Sequence, residues 1–330
     1  MENFEKKTKL RVLTIAIIAG CFALLQTSCK KLEGLGGGGG GKSKKFEALI
    51  AYKKSPHQIM AGYYRTWGDS LVENNSGQRT MLQIPDSVDI VNVFADYTAP
   101  DHKYWTVLKD KYIPYLHERG TKVVVTSGIP SERVPAMTAE ELKTWVGGFI
   151  AENNKYDYDG IDLDMESGGG TTATGLFGGY FRGNQQDLDR TYSKIEALSK
   201  YFGPKSGTGK LFILDLNYAN LPAPFLKSIE GFLDYVFMQR YFGGQLDQLY
   251  TEGYAGSIPP SKYILGASFE DGSARKGSVP LFYQYARWNP KEGAKGGIFS
   301  YGLDADGTYS NPSYSFTKNA IQILNPAKKK

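Results

Sequence analysis

From residue 46 to residue 327 the chain alternates short, apolar, β-rich runs with longer stretches of helical period. The β-rich runs are 58–64, 88–95, 122–126, 160–165, 211–217, 235–239, 263–267 and 297–301. Helical patterns fall between them, for instance at 138–153, where Thr138 opens a capping box completed by Glu141, and at 187–201. A last helix is expected after Asn311-Pro312. Strands alternating with helices are the mark of βα units and a parallel sheet. Eight such runs in a stretch of this length suit one α/β domain, a (β/α)8 TIM barrel, whose usual size is roughly 250 residues.

The fourth run carries the strongest chemical signal. Asp159-Gly-Ile-Asp162-Leu-Asp164-Met-Glu166 places four carboxylates in eight residues, interleaved with Ile161, Leu163 and Met165. Side chains alternate along a strand, so Asp162, Asp164 and Glu166 share one face and the apolar residues the other. Aligned carboxyls repel one another and lose solvation, which raises at least one pKa. An acid kept protonated near neutral pH can protonate a leaving group, while an ionised neighbour stabilises developing positive charge. A calcium loop of the EF-hand type would need a glycine and a spacing that the segment lacks. Active sites of such barrels sit at the C-terminal ends of the strands. There the chain places Tyr63 and Trp67 after the first run, Phe94 at the second, Asn217 at the fifth, Gln239 and Tyr241 at the sixth and Tyr301 at the eighth. Aromatic rings around an acidic strand suit a sugar, which offers apolar faces to rings and hydroxyls to polar groups.

The acidic segment resembles the Asp-x-x-Asp-x-Asp-x-Glu signature of glycoside hydrolase family 18, and all four acidic positions match. Gln239-Arg240-Tyr241 resembles the Gln-x-Tyr of that family's endo-β-N-acetylglucosaminidase branch, where chitinases have Met-x-Tyr-Asp. Phe242 stands in place of the chitinase Asp, and Tyr301 where chitinases usually have Trp. The resemblance implies retaining hydrolysis of the GlcNAc-β-1,4-GlcNAc bond in the core of N-linked glycans, assisted by the substrate's own 2-acetamido group. On that basis Glu166 is the expected acid, Asp164 orients the acetamide, Asp162 sits deeper beside Asp164, and Tyr241 donates to the acetamide oxygen, with Gln239 nearby. Asp159 is counted with the substrate-binding set together with Gln239, Tyr63, Trp67, Phe94, Asn217 and Tyr301, and is expected at the turn leading into the strand. A chitinase, or a catalytically silent glycan-binding protein on the same barrel, is the alternative.

The N-terminus adds a compartment. Lys6, Lys7, Lys9 and Arg11 precede an apolar run from Val12 to Leu25, too short to span a membrane with ease but suited to a signal peptide. It ends at Leu25-Gln-Thr-Ser28-Cys29, which resembles a bacterial lipobox apart from Gln26. The expected organisation is a lipoprotein signal peptide at 1–28, a Gly/Lys-rich flexible tether at 29–45, the barrel at 46–327 and a basic tail at 328–330. The expected place is the bacterial outer membrane or cell surface, with the periplasmic face or secretion as alternatives, and the expected state a monomer. Residues 36–43 spell a phosphate-loop pattern, but neither the strand nor the helix that would aim it at a nucleotide flanks them.

Charge and the remaining residue types narrow the field further. The formal net charge of +5 belongs to the ends: nine basic residues and three Glu lie in 1–45, and three Lys close the chain. The remainder is mildly acidic, which removes the argument for nucleic acid. Cys21 and Cys29 both lie in the leader region, leaving the mature domain no thiol for a disulfide or a metal. His57, His102 and His117 lack ligand spacing, so neither a metal nor a cofactor is expected. If Cys29 carries the anchor, Cys29→Ser should leave the precursor unprocessed or release it from the membrane fraction. Unchanged fractionation together with no acyl group on Cys29 by mass spectrometry would refute the lipobox.

Overall fold

The computed structural model describes residues 44–72, 79–127, 136–165, 185–217 and 221–327. The leader with Cys29, the tether up to residue 43, Glu166, the insertion at 167–182 and the basic tail lie outside the described residues.

Eight strands occur among the described residues: β1 (Ile59–Arg65), β2 (Ile90–Phe94), β3 (Lys122–Ser127), β4 (Gly160–Met165), β5 (Leu211–Leu216), β6 (Tyr235–Gln239), β7 (Tyr263–Ser268) and β8 (Gly297–Tyr301). They close in chain order into one barrel, with every neighbouring pair parallel and β8 returning to β1. The expected (β/α)8 TIM barrel is thus the fold. Strand limits shift by up to two residues. β2 begins at Ile90 rather than 88 because Asp89 is engaged ahead of the strand, where its Oδ2 accepts the Met60 N–H at 2.8 Å and its Oδ1 meets His57 Nε2 at 3.0 Å. β5 ends at Leu216, one residue short of Asn217.

The helices follow the periodicity. Ala139–Tyr156 starts directly after Thr138, whose hydroxyl accepts the Glu141 N–H while the Glu141 carboxylate accepts the Thr138 N–H at 2.7 Å. This is the capping box read from the sequence, and it satisfies two backbone donors that a helix start leaves open. The helix ends at Asp157, held at φ 59° in the left-handed region. Gln185–Ser199 begins two residues earlier than the periodicity predicts, and Ser315–Leu324 follows Asn311-Pro312 as expected.

A strand in a closed barrel sends alternate side chains inward and outward. On β4, Ile161, Leu163 and Met165 join the core between sheet and helices, as do Phe212, Leu214 and Leu216 on β5. The opposite set points into the barrel, where Ile59, Ile90, Val124, Ile213, Phe237, Ile264 and Phe299 fill the lower interior. Layers of large side chains make such an interior a packed plug rather than a pore. Phe299 is its upper shelf: its ring stacks on Phe237 at 4.9 Å and lies 5.4 Å from Tyr63.

That shelf depends on a missing side chain. Gly266 faces it from β7, and a Cβ there would come within 2.0 Å of Phe299 Cζ. Gly266→Ala should therefore lower the unfolding free energy by about 1–3 kcal/mol, the usual cost of overpacking. The midpoint of denaturant unfolding measures this, and an unchanged midpoint would mean that Phe299 is not wedged in place.

Candidate active site

β4 ends at the mouth of the barrel with Asp162 and Asp164 pointing inward, 0% and 3% exposed. Carboxylates this deep survive only where donors reach them. Asp162 Oδ2 collects three: the Tyr63 hydroxyl at 2.7 Å, Asn92 Nδ2 at 3.0 Å and the Thr126 hydroxyl at 3.0 Å. They come from β1, β2 and β3, so four consecutive strands converge on one oxygen. Burial pushes the Asp162 carboxyl up to about 6, and these hydrogen bonds hold it from rising further. Tyr63 is pushed well above the ordinary phenol value, first by burial and then by Asp162, Asp215 and Asp164, so it keeps its proton.

Asp164 is held from the other side. Gln239 Nε2 donates to Asp164 Oδ1 at 3.1 Å and to Asp215 Oδ2 at 2.9 Å. Asp215 lies beside Asp164 in the β4–β5 register, and Tyr63 Oη stands 2.8 Å from its Oδ2. Two acceptors on one side of Gln239 fix its amide orientation, because only the nitrogen end can face both. The two side chains belong to different strands and meet only because the barrel is closed.

Above this polar floor runs a line of rings. Tyr241 stacks on Tyr301 at 5.8 Å, and Tyr301 meets Phe94 edge-on at 5.6 Å. Phe94 meets Trp67 at 5.8 Å, and Trp67 meets Tyr97 at 5.1 Å. Tyr97 is 85% exposed, so the line leads from the carboxylates to solvent. Behind Trp67 the Arg65 guanidinium grips Asp304 with two nitrogens, Nε to Oδ1 at 3.0 Å and Nη2 to Oδ2 at 2.7 Å, and reaches Glu270 at 2.6 Å. The planar fork suits that bidentate pair, and it ties the end of β1 to the helix Leu303–Tyr309.

Of the residues read from the sequence, the structure brings together Asp162, Asp164, Tyr63, Gln239, Tyr241, Phe94, Trp67 and Tyr301. Asn217 lies one residue past β5, at the same end of the barrel. Glu166 is outside the described residues, directly beyond β4. Asp159 is a correction to the substrate-binding set. It sits before β4 at the far end of the barrel, where its Oδ2 meets His117 Nε2 at 2.8 Å and accepts the Val123 N–H at 2.8 Å, while Oδ1 meets Lys122. These partners draw its pKa down against burial and make it a clasp between β3 and β4. Asp215 and Asn92 are absent from the residues read from the sequence, and Thr126, at the end of the third run, has no role assigned to it there. The signal was present for Asp215 and Asn92, each a lone polar residue on the inward phase of an apolar strand, Leu-Phe-Ile-Leu-Asp-Leu and Ile-Val-Asn-Val-Phe.

Comparison with known proteins bears on this geometry directly. Residues 62–300 match the endo-beta-N-acetylglucosaminidase EndoS TIM-barrel domain. The chain is 38% identical over 302 residues to endo-beta-N-acetylglucosaminidase F2 of Elizabethkingia meningoseptica, covering 84% of this chain and 85% of the relative. It is 26% identical over 324 residues to endo-beta-N-acetylglucosaminidase EndoS of Streptococcus pyogenes serotype M1, of whose length it spans 32%. A crystal structure of the endo-beta-N-acetylglucosaminidase of Cordyceps militaris, a mutant in complex with fucosyl-N-acetylglucosamine-Asn, superposes with a TM-score of 0.72 at 30% identity. That match covers 87% of this chain and 98% of the fungal one. The chain therefore belongs to the endo-beta-N-acetylglucosaminidase TIM-barrel family, the branch of glycoside hydrolase family 18 that its acidic strand and Gln239-Arg240-Tyr241 resemble.

Proposed function

We propose that the chain cleaves the GlcNAc-β-1,4-GlcNAc bond in the core of N-linked glycans, acting as a retaining endo-β-N-acetylglucosaminidase. The observation that carries this reading is the inward pair Asp162 and Asp164, held by Tyr63 and Gln239 in a barrel of that family. Retaining enzymes with a protein nucleophile form a glycosyl–carboxylate ester, whereas substrate-assisted enzymes use the 2-acetamido oxygen of the sugar instead. The second route suits this floor. Asp164 would accept the acetamide N–H and stabilise the positive charge of the oxazolinium-like intermediate, and the Gln239 hydrogen bond keeps its Oδ1 from swinging away. Tyr241, two residues beyond Gln239, would donate to the acetamide oxygen.

Glu166 follows Met165 by one residue, and in the sequence it continues the alternation of Asp162 and Asp164. It would protonate the glycosidic oxygen and then activate water. The line of rings from Tyr301 to Tyr97 would stack on the apolar faces of the sugars on either side of the scissile bond. A lipid on Cys29 and the tether behind it would hold this mouth at the bacterial outer membrane or cell surface, a reading supported by the basic and apolar phases of the leader.

Incubation with a glycoprotein bearing high-mannose N-glycans should leave a single GlcNAc on the asparagine, read as a mass shift, with chitotriose a poor substrate. Glu166→Gln should abolish that shift while leaving the fold and glycan binding intact, since a general acid contributes about 10² to 10⁴ in rate. Activity of this variant within threefold of wild type would remove Glu166 from its role.

Asp164→Asn separates the two routes. It should slow both formation and breakdown of the oxazoline, so that a supplied sugar oxazoline is transferred to acceptors with less hydrolysis of the product. Substrates without the 2-acetamido group should not be cut. A glycosyl group trapped covalently on Asp162 or Asp164 would refute the substrate-assisted mechanism.

A further inference from the structure

Asp215 is a buried carboxylate of the site to which the reaction outlined above assigns no part. It is 1% exposed, lies beside Asp164 in the sheet register and shares both Tyr63 and Gln239 with the acidic strand. Counting hydrogens at Tyr63 shows what it must be doing. The phenol has one hydrogen, yet its oxygen stands 2.7 Å from Asp162 Oδ2 and 2.8 Å from Asp215 Oδ2. A phenol oxygen between two carboxylate oxygens can satisfy both only if one of the carboxyls carries a proton and donates it to the phenol.

The surroundings decide which one. Asp162 Oδ2 already meets two further donors, Asn92 Nδ2 and the Thr126 hydroxyl, and with the phenol these make three contacts on one oxygen, a load that suits a carboxylate better than the hydroxyl oxygen of an acid. Asp215 Oδ2 meets Gln239 Nε2 beside the phenol, and the oxygen of a carboxylic acid can accept that N–H while donating its own hydrogen. The chain of donation therefore runs from Asp215 to Tyr63 to Asp162.

We propose that Asp215 is a positioning residue for the proposed glycosidase reaction, holding a buried proton against Tyr63 and setting Gln239 so that its amide fixes Asp164. Two consequences follow from the geometry. Being neutral, Asp215 adds no third negative charge next to Asp162 and Asp164, leaving the anionic charge where the oxazolinium-like intermediate needs it. Accepting from Gln239, it also prevents the amide from turning over and presenting its carbonyl to Asp164, which would repel the carboxylate. Among the described residues, the titratable groups around it are Asp164 beside it on β4, Tyr63 from β1 with Asp162 across the phenol, and Tyr254 after the helix Leu246–Gly253, while Tyr241 beyond β6 lies near Tyr63.

Asp215→Asn tests this. The amide that replaces the carboxyl meets the Tyr63 oxygen and the Gln239 nitrogen at one place, and neither end of it can serve both as the acid does. On the same glycoprotein substrate, kcat should fall by about tenfold to a hundredfold, the scale of a displaced catalytic group, with KM within about threefold. The alkaline limb of the kcat profile should also move. Infrared difference spectra between wild type and this variant at neutral pH should contain a protonated-carboxyl carbonyl stretch that belongs to Asp215. Should the variant not fold, Tyr63→Phe, which removes only the relaying hydroxyl, should shift that stretch in an otherwise intact barrel.

A folded Asp215→Asn enzyme with kcat within threefold of wild type and an unmoved pH profile would overturn the proposal. So would the absence of a protonated-carboxyl band. Failure of the endoglycosidase reading itself looks different: wild type would leave the glycoprotein uncut, while the infrared arm would still report where the proton lies.

Discussion

Three carboxyl groups buried side by side, two of them on one tyrosine, are the constraint around which this barrel is built. Ionised groups taken out of water are expensive unless donors replace the lost solvent. Here the donors come from separate strands, Tyr63 from β1, Asn92 from β2, Thr126 from β3 and Gln239 from β6, and none is near the acidic strand in sequence. A slip of one residue in any of these strands would turn the donor to the outer face, because side chains alternate with a period of two. Satisfying the carboxylates and closing the barrel in register are therefore one requirement. The apolar plug below, with Phe299 seated against Gly266, keeps water from relaxing it.

Above the floor the chemistry changes character. The rings from Tyr241 to Tyr97 are partly or fully open to solvent, and they meet one another edge-on or stacked at 5.1–5.8 Å. Aromatic side chains hold their shape with few torsions to freeze, so they present apolar area at low entropic cost. The buried Arg65 pair with Asp304 anchors this upper layer without adding net charge to the mouth. A sugar chain would meet a rigid apolar wall on one side and fixed hydrogen-bonding groups beneath, which is the division that its own faces and hydroxyls require.

Most of the fold was legible because one rule, alternation along a strand, applies eight times over. Helix starts were legible where a side chain advertises them, as Thr138 and Glu141 do. In the site, clustering made Asp162 and Asp164 visible: several acids at a spacing of two cannot be ordinary core. Asp215 carries the same phase but stands alone in its strand, and a lone acid in an apolar run reads as a strand end until the neighbouring strand is known. Asp159 misled for the opposite reason. It is part of the clustered motif, yet a strand has two ends, and the five residue steps from Asp159 to Asp164 span most of the barrel's height at about 3.3 Å each. The cluster therefore straddles two functions, a clasp to His117 and Val123 below and chemistry above.

The identity of the β6 residue follows from the same hydrogen count. An amide nitrogen brings two hydrogens to one point, and Gln239 spends both, one on Asp164 and one on Asp215. A methionine at that place, as in the chitinase pattern Met-x-Tyr-Asp, could give neither, and a buried carboxyl on β5 would then lose the amide donor that reaches its Oδ2 here. Gln239 and Asp215 are thus physically a pair: the acid needs the amide to be buried, and the amide needs the acid to be held the right way round. What distinguishes the Gln-x-Tyr branch in this chain is consequently more than one residue exchanged at one strand end. It is a change in how charge is balanced across the barrel floor, from which the orientation of Asp164 follows.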